Sequence, residues 1–313
     1  MKTIRENVRR ITTAAASLII GASLLAGCGK TEPTTPQTPA DTNSDATATD
    51  AATDTGTDAG TDATSQDASV EPVTLKIGAS VTPHAELLRE VAPILAEQGI
   101  TLEIIEMEDV VTPNTGVADG SLDANFFQHV PFLDSFNAEN GTDLVSIGAT
   151  HYEPFGLYAG KSSDLANIAD GAVVGVPNNA TNEARALLLL QQEGIITLKE
   201  GADITATVED IEENPHNIDI KEIAPEQLVR SLPDLDFAII NGNYALEGGL
   251  KVKDALAVEN ADGVAAQTYK NVVVAKAENK DNAALKKLVE ALQSQEIQDY
   301  INNTYDGAVV PVK

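Results

Sequence analysis

Tryptophan is absent from this 313-residue chain, and cysteine occurs once, at Cys28. A lone thiol cannot close a disulfide within the chain, so an apolar core of Ala, Val, Leu and Ile must hold the fold. Positive charge is scarce as well: 20 Lys and Arg face 48 Asp and Glu, for a formal net charge of -28. That balance excludes a nucleic-acid surface and an electrostatic grip on anionic lipid, both of which need a basic footprint. No Gly-x-Ser-x-Gly elbow occurs, and the one thiol stands in an export signal, so a hydrolase would lack its nucleophile. The chain reads as a non-enzyme that uses no cofactor.

What is present begins with that cysteine. Lys2, Arg5, Arg9 and Arg10 flank the start of an apolar run from about Ile11 to Leu25, closed by Leu25-Ala26-Gly27-Cys28. A basic start, a short apolar stretch and small residues at the cut make a secretory signal peptide. The run is shorter than the ~20 apolar residues of a membrane span. Its end resembles the lipobox of bacterial lipoproteins. That resemblance implies removal of residues 1–27 and a mature chain that starts at Cys28, carrying acyl chains such as palmitate. The protein is then extracytoplasmic and anchored to the cell membrane by its N-terminal lipid.

Residues 28–72 are almost wholly Thr, Asp, Ala, Pro, Gly and Ser, with repeats such as Thr49-Asp50-Ala51, Thr57-Asp58-Ala59 and Thr61-Asp62-Ala63. With nothing to bury and with Asp side chains that repel one another, the segment cannot offset the entropy of ordering. It is expected to be an extended tether. About forty residues of flexible chain reach some 35 Å on average.

From Val73 onward roughly 240 residues remain, enough for two lobes with sizeable cores. Val73 to Ala79 alternates with period two, and Leu87, Leu88, Val91, Ile94 and Leu95 form a helical stripe that ends at Gly99. Ile100 to Met107 reads as a strand and Thr112-Pro113 as a helix start. Further strand signals run over 144–148, 155–158, 172–177, 218–223, 237–240 and 271–275. Helical signals run over about 181–192, 225–231 and 282–303. Strands alternating with helices predict an α/β fold with parallel sheets covered on both faces. The predicted lobes are 73–158 together with 266–313, and 159–265. Between them lies a cleft, since ligands of open α/β sheets sit outside the carboxyl ends of the strands.

Three segments go beyond this periodicity. Asp123-Ala124-Asn125-Phe126-Phe127-Gln128-His129-Val130-Pro131-Phe132 gathers three of the six Phe. The aromatic rings either wall a pocket for a flexible apolar side chain, or are plain core with His129 as a helix cap. In Pro177-Asn178-Asn179-Ala180-Thr181-Asn182-Glu183-Ala184-Arg185 a strand meets a helix whose free N–H groups suit an anion. Arg185, one turn in, either grips a carboxylate with its planar fork or pairs with Glu183 or another nearby acid. In Ile240-Asn241-Gly242-Asn243-Tyr244 a strand runs into two Asn, which serve either the turn or a ligand's polar head.

Taken in order, these segments resemble one family. Asp123 to Leu133, Glu153-Pro-Phe-Gly-Leu-Tyr158, Pro177 to Asn182 with Arg185 to Leu190, Glu213-Asn-Pro215, Arg230-Ser-Leu232 and Ile240 to Ala245 are similar to the NlpA/MetQ methionine-binding lipoproteins. The resemblance implies an α/β two-lobe periplasmic-binding-protein fold of type II, each lobe a sheet flanked by helices. It implies a substrate-binding component of an ABC importer that captures L-methionine for a permease and its cytoplasmic ATPase. It also puts Arg185 on the methionine carboxylate, Asn182 and Asn241 on its polar head, and Phe127, His129 and Phe132 around the thioether. His84, in Pro83-His84-Ala85-Glu86, matches the family's first-loop motif and joins the ligand set.

The chain departs from the family at Asp109-Val110-Val111-Thr112-Pro113-Asn114, where relatives often carry an aromatic residue before the Pro-Asn pair. Its loss widens the choice to another apolar amino acid or a methionine-containing dipeptide. A metal-binding importer lipoprotein would draw on His84, His129, His151 and His216. Their spacing fits no metal-ligand motif, and Asn214-Pro215-His216-Asn217 reads as a surface turn, so no metal is expected.

Overall fold

A computed structural model describes residues 72–260 and 264–312. The signal segment, Cys28 and the acidic tether lie outside the described residues. From Val73 the chain forms β1 (Val73–Ala79), a short helical turn at Val81–Ala85, α1 (Glu86–Ala96), β2 (Ile100–Glu106), α2 (Thr112–Asp119), β3 (Ala124–His129), α3 (Val130–Asn140) and β4 (Leu144–Tyr152). It continues through β5 (Gly156–Ala159), β6 (Val173–Pro177), α4 (Ala180–Gln192), β7 (Thr197–Leu198), β8 (Ile211–Glu213), β9 (Asp219–Ile223), α5 (Leu228–Ser231), β10 (Phe237–Ile240), α6 (Gly242–Glu247) and β11 (Ala257–Val258). The last part is α7 (Val264–Thr268), β12 (Lys270–Lys276), α8 (Ala283–Leu292), α9 (Gln295–Thr304) and β13 (Val310–Pro311).

The longer strands make two sheets, in the orders β13-β4-β12-β3-β1-β2 and β11-β5-β10-β6-β9, while β7 and β8 pair alone. Alternation along β1 turns Leu75, Ile77 and Ala79 into the core, where they meet the buried stripe Leu87, Leu88, Val91 and Leu95 of α1. Removing a fully buried Leu of this kind costs about 2 to 5 kcal/mol. Helices cover both faces of each sheet. In the first sheet α1, α8 and α9 supply one core, and α2 and α3 supply the other. In the second, α4 packs on one face while residues of α5 and α6 pack on the opposite one.

The sheets are not the purely parallel ones that the strand and helix alternation predicts. Parallel pairing holds for β1 with β2 and β3, and for β6 with β9 and β10. β12 is antiparallel to both β3 and β4, and β5 is antiparallel to β10 and β11. The cause is the chain's return: β12 comes back from the second sheet and inserts between β3 and β4 against their direction. A second difference concerns the crossing. The sequence boundary falls after Tyr158, but Gly156–Ala159 already pairs with Phe237–Ile240 of the second sheet. The chain changes sheets at Glu153-Pro154-Phe155. No helix among the described residues is long and apolar enough to cross a membrane.

Candidate functional site

The ends of β3, β6 and β10 feed directly into α3, α4 and α6, and a cavity of about 440 Å³, its mouth included, lies at these junctions. Phe127, His129 and Phe132 line it from the first sheet's side, and Asn182, Arg185 and Asn241 line it from the second's. The three segments singled out in the sequence thus converge on one space.

Arg185 sits in α4, whose first turn is capped by the Asn179 side chain accepting from the Asn182 N–H. It is 3% exposed. Its Nε donates to Glu259 Oε1 at 2.9 Å and its Nη2 to Glu259 Oε2 at 2.5 Å and to the Glu153 carbonyl at 2.8 Å. The guanidinium also lies over the Phe155 and Tyr269 rings, 3.9 and 4.3 Å from their centroids. These contacts fix the plane of the fork. The acid that pairs with Arg185 is Glu259 and not Glu183, whose Oε1 accepts instead from the Val208 N–H. Burial works against an ionised Glu259, but the Arg185 charge and hydrogen bonds from Arg185, Tyr152 and the Phe155 N–H hold its carboxyl below the usual range.

His129 does two things at once. Its Nδ1 accepts from the Phe132 N–H, which caps α3, so the ring proton is on Nε2 and is donated to Asn182 Oδ1 at 2.9 Å. Burial, and next the Arg185 charge, push its pKa down to about 3. The imidazole is neutral and joins the first sheet's side of the cavity to the second's. Since His129 occupies the amide oxygen of Asn182, what Asn182 can offer a ligand is its Nδ2. Phe127 and Phe132 meet edge to face at 5.9 Å between centroids, whereas Phe126 is fully buried in the core. Asn241 stands just before α6 without a capping bond, and its Oδ1 is a buried acceptor with no partner. Asn243 also lines the cavity, so it does more than shape the turn.

His84 is where the sequence expectation and the structure part. The ring is fully buried behind the cavity wall, bonded to Ser80 Oγ at 2.7 Å and Asn271 Oδ1 at 3.0 Å, and it is not among the lining residues. It reaches the cavity only through Asn271 and Glu153, which do line it. The sequence reasoning missed Glu153, Asn271, Tyr244 and Glu259. Glu153 lies inside the motif Glu153-Pro-Phe-Gly-Leu-Tyr158, but as one acid among many in an acidic chain it carries no local mark. Glu259 is brought to Arg185 only by the fold. His216 is half-buried at the surface, with Nδ1 3.5 Å from Asp170.

Comparison with known proteins gives one pattern. The family model for the NlpA lipoprotein matches residues 75–313. Methionine-binding lipoprotein MetQ of Bacillus subtilis is 39% identical over 242 residues, which are 75% of this chain and 87% of that protein. A lipoprotein of known structure from Ruminococcus gnavus is 52% identical with a TM-score of 0.76, covering 77% of this chain and 99% of its own. A nutrient binding protein from Burkholderia cenocepacia, solved bound to methionine, is 41% identical with a TM-score of 0.72, covering 76% of this chain and 100% of its own.

Proposed function

The chain belongs to the NlpA lipoprotein family, and on that premise we propose that it is the substrate-binding lipoprotein of an ABC importer, capturing L-methionine in the cavity between its two sheets. One observation supports this reading above the others. The cavity combines a buried guanidinium, a buried carboxylate and an unpartnered amide oxygen with the Phe127 and Phe132 rings. An α-amino acid with a straight apolar side chain satisfies all of them. Its carboxylate takes the Arg185 guanidinium and Asn182 Nδ2, its ammonium takes Glu153 and Asn241 Oδ1, and its thioether lies against the aromatic edges.

The two sheets are read as the two lobes, 73–155 with 266–313 and 156–265, so that one ligand binds both and holds them closed. The Tyr244 hydroxyl, which donates to the Glu108 carbonyl at 3.0 Å, and the His129–Asn182 bond tie the same two parts together. Cys28 carries the lipid that ties the lobes to the membrane beside the permease, whose ATPase stands on the cytoplasmic side. Val110 stands in the cavity wall, and this keeps a second reading in play, a wider slot for another apolar amino acid or a methionine-containing dipeptide.

Thermal denaturation with added ligand tests the reading. L-Methionine at about a hundred times its Kd stabilises the folded chain by about 2.7 kcal/mol. An unmoved melting temperature with millimolar L-methionine contradicts it.

A further inference from the structure

Two buried chains of hydrogen bonds end on the cavity wall. In one, Ser80 Oγ bonds His84 Nδ1 at 2.7 Å, and His84 Nε2 bonds Asn271 Oδ1 at 3.0 Å. In the other, Thr150 Oγ1 bonds His151 Nδ1 at 2.9 Å, and His151 Nε2 bonds Glu153 Oε1 at 2.7 Å. The imidazoles stand 4.9 Å apart, each edge-on to the Phe126 ring, and His84 Nε2 lies 3.4 Å from the same Glu153 Oε1. Oxygen acceptors on the Nε2 side place both ring protons there, so Nδ1 is the acceptor in each ring, facing the Ser80 hydroxyl in one and in the other the Thr150 hydroxyl, whose single proton the Asn271 carbonyl at 3.4 Å also attracts.

His84, His151 and Glu153 lie close enough together to suggest a metal site. The hydrogen bonds account for them without an ion. The 2.7 Å between His151 Nε2 and Glu153 Oε1 is also shorter than the ~3.3 Å between tetrahedral ligands that each stand about 2 Å from a zinc. What the arrangement does is hold Oε1 of Glu153 from the histidine side, while the Asn243 N–H reaches the same carboxylate. On the far side, a Cβ built at Gly242 would come within 2.8 Å of the Glu153 Cβ and 3.3 Å of Oε2, so glycine is what lets the start of α6 close over this carboxylate.

The geometry points to His84 and His151 as positioning residues that pin Oε1 of Glu153 and Oδ1 of Asn271, aiming Glu153 Oε2 at the α-ammonium of the ligand so that the site requires a free cationic amine. This rests on the amino-acid reading of the cavity and deepens it.

The charged and titratable groups around Glu153 agree with such a role. They are His84 and His151 on one side and Arg185 on the other, with Glu259, Tyr152 and His129 gathered around Arg185. Burial pushes His84 down to about 4 and His151 to about 3, so both are neutral donors near pH 7. Burial also raises the carboxyl of Glu153, against the pull of His84 and Arg185 and a hydrogen bond from the Asn243 N–H. An incoming ammonium favours the ionised form. Affinity is therefore full above the raised pKa and falls as pH drops through it, with proton release on binding in that range.

The test is a calorimetric titration of the full chain with L-methionine and with 4-(methylthio)butanoate, methionine without its amine, from pH 8 to 5. The wild type prefers methionine by about a hundredfold or more, the size expected when a buried charge loses its partner. Glu153→Gln brings the two ligands within about tenfold and removes the acid loss. His151→Phe, which keeps a ring and loses the donor, lowers the methionine preference by about tenfold or more and moves the acid loss to higher pH. Equal binding of both ligands by the wild type, or an unchanged preference and pH profile in both variants with melting intact, overturns the inference. If His151→Phe does not fold, Glu153→Gln and the wild-type preference decide it. Failure of the wild type to bind methionine at all is a different result and removes the amino-acid reading itself.

Discussion

Arg185 and Glu259, 74 residues apart in the chain, form a buried pair in which Nε and Nη2 of one side chain each donate to the carboxylate of the other. Glu259 also accepts from the Tyr152 hydroxyl at 2.5 Å, so the acid is held from several sides. The pair orients the guanidinium in the cavity wall, so in the proposed reading Arg185 serves both the fold and the site.

Replacing Arg185 with Ala therefore has two effects. The ligand loses its carboxylate partner, which weakens methionine binding by a hundredfold or more. Glu259 becomes a buried charge without a partner, which costs about 3 to 5 kcal/mol of stability. The double variant Arg185→Ala with Glu259→Gln recovers much of the stability and none of the binding. Calorimetry and urea melts separate the two effects. A threefold or smaller change in affinity in a folded Arg185→Ala takes Arg185 out of the site.

Asn241 and Asn243 offer a contrast within one turn. The Oδ1 of Asn241 is buried without a partner, which is a cost in the empty protein that a ligand ammonium removes. Asn241→Ala is expected to nearly abolish methionine binding while leaving the melting temperature within a few degrees of wild type. Asn243→Ala, which leaves that oxygen in place, weakens binding less. The reverse ranking in a binding titration shows that Asn243 is the ligand contact.

Much of this was legible in the chain, and the reason differs from part to part. Strands such as Phe237–Ile240 and the buried stripe of α1 announce themselves through period and composition. Arg185, Asn182, Phe127 and Phe132 stand out because their residue types do not fit a plain strand or a helix start. β3 stayed hidden, since Asn125, Gln128 and His129 break its apolar alternation; the first two are satisfied by a side-chain network with Asn114, which only the fold assembles. The direction of β12 was hidden too, because antiparallel insertion depends on where the chain returns from. His84 marks the limit of transferring roles by motif. The residue fits the family pattern, yet it lies behind the wall, in contact with the lining residues Asn271 and Glu153.

Stability should depend on pH through three histidines. His84, His129 and His151 are buried, and burial lowers them to about 4, 3 and 3 from 6.5. Below pH 6.5 the unfolded chain takes up these protons and the folded one does not. Their contribution is therefore complete above pH 6.5 and is lost as pH falls toward 4. Three such groups remove at most about 4 kcal/mol per pH unit. Glu153 offsets part of this, because a carboxyl raised in the fold binds its proton there first. Melting temperatures from pH 7.5 to 4.5 are expected to fall steeply below 6.5, and a flat profile from 7 to 5 contradicts neutral burial of the three rings.

The side-chain slot carries its own expectation. Sulfur against the edges of Phe127 and Phe132 contributes about 0.3 to 1.5 kcal/mol, so methionine binds up to about tenfold better than norleucine, and leucine, branched early, binds far worse. Val110→Phe restores a ring to the wall and is expected to widen the gap between methionine and leucine.

The most direct measurement is a competition titration of the full chain by calorimetry with L-methionine, norleucine, leucine and Gly-Met. The expected result is saturable binding of one methionine per chain, displaced modestly by norleucine and poorly by leucine and the dipeptide. Leucine binding as tightly as methionine, or Gly-Met binding much more tightly, contradicts the methionine assignment.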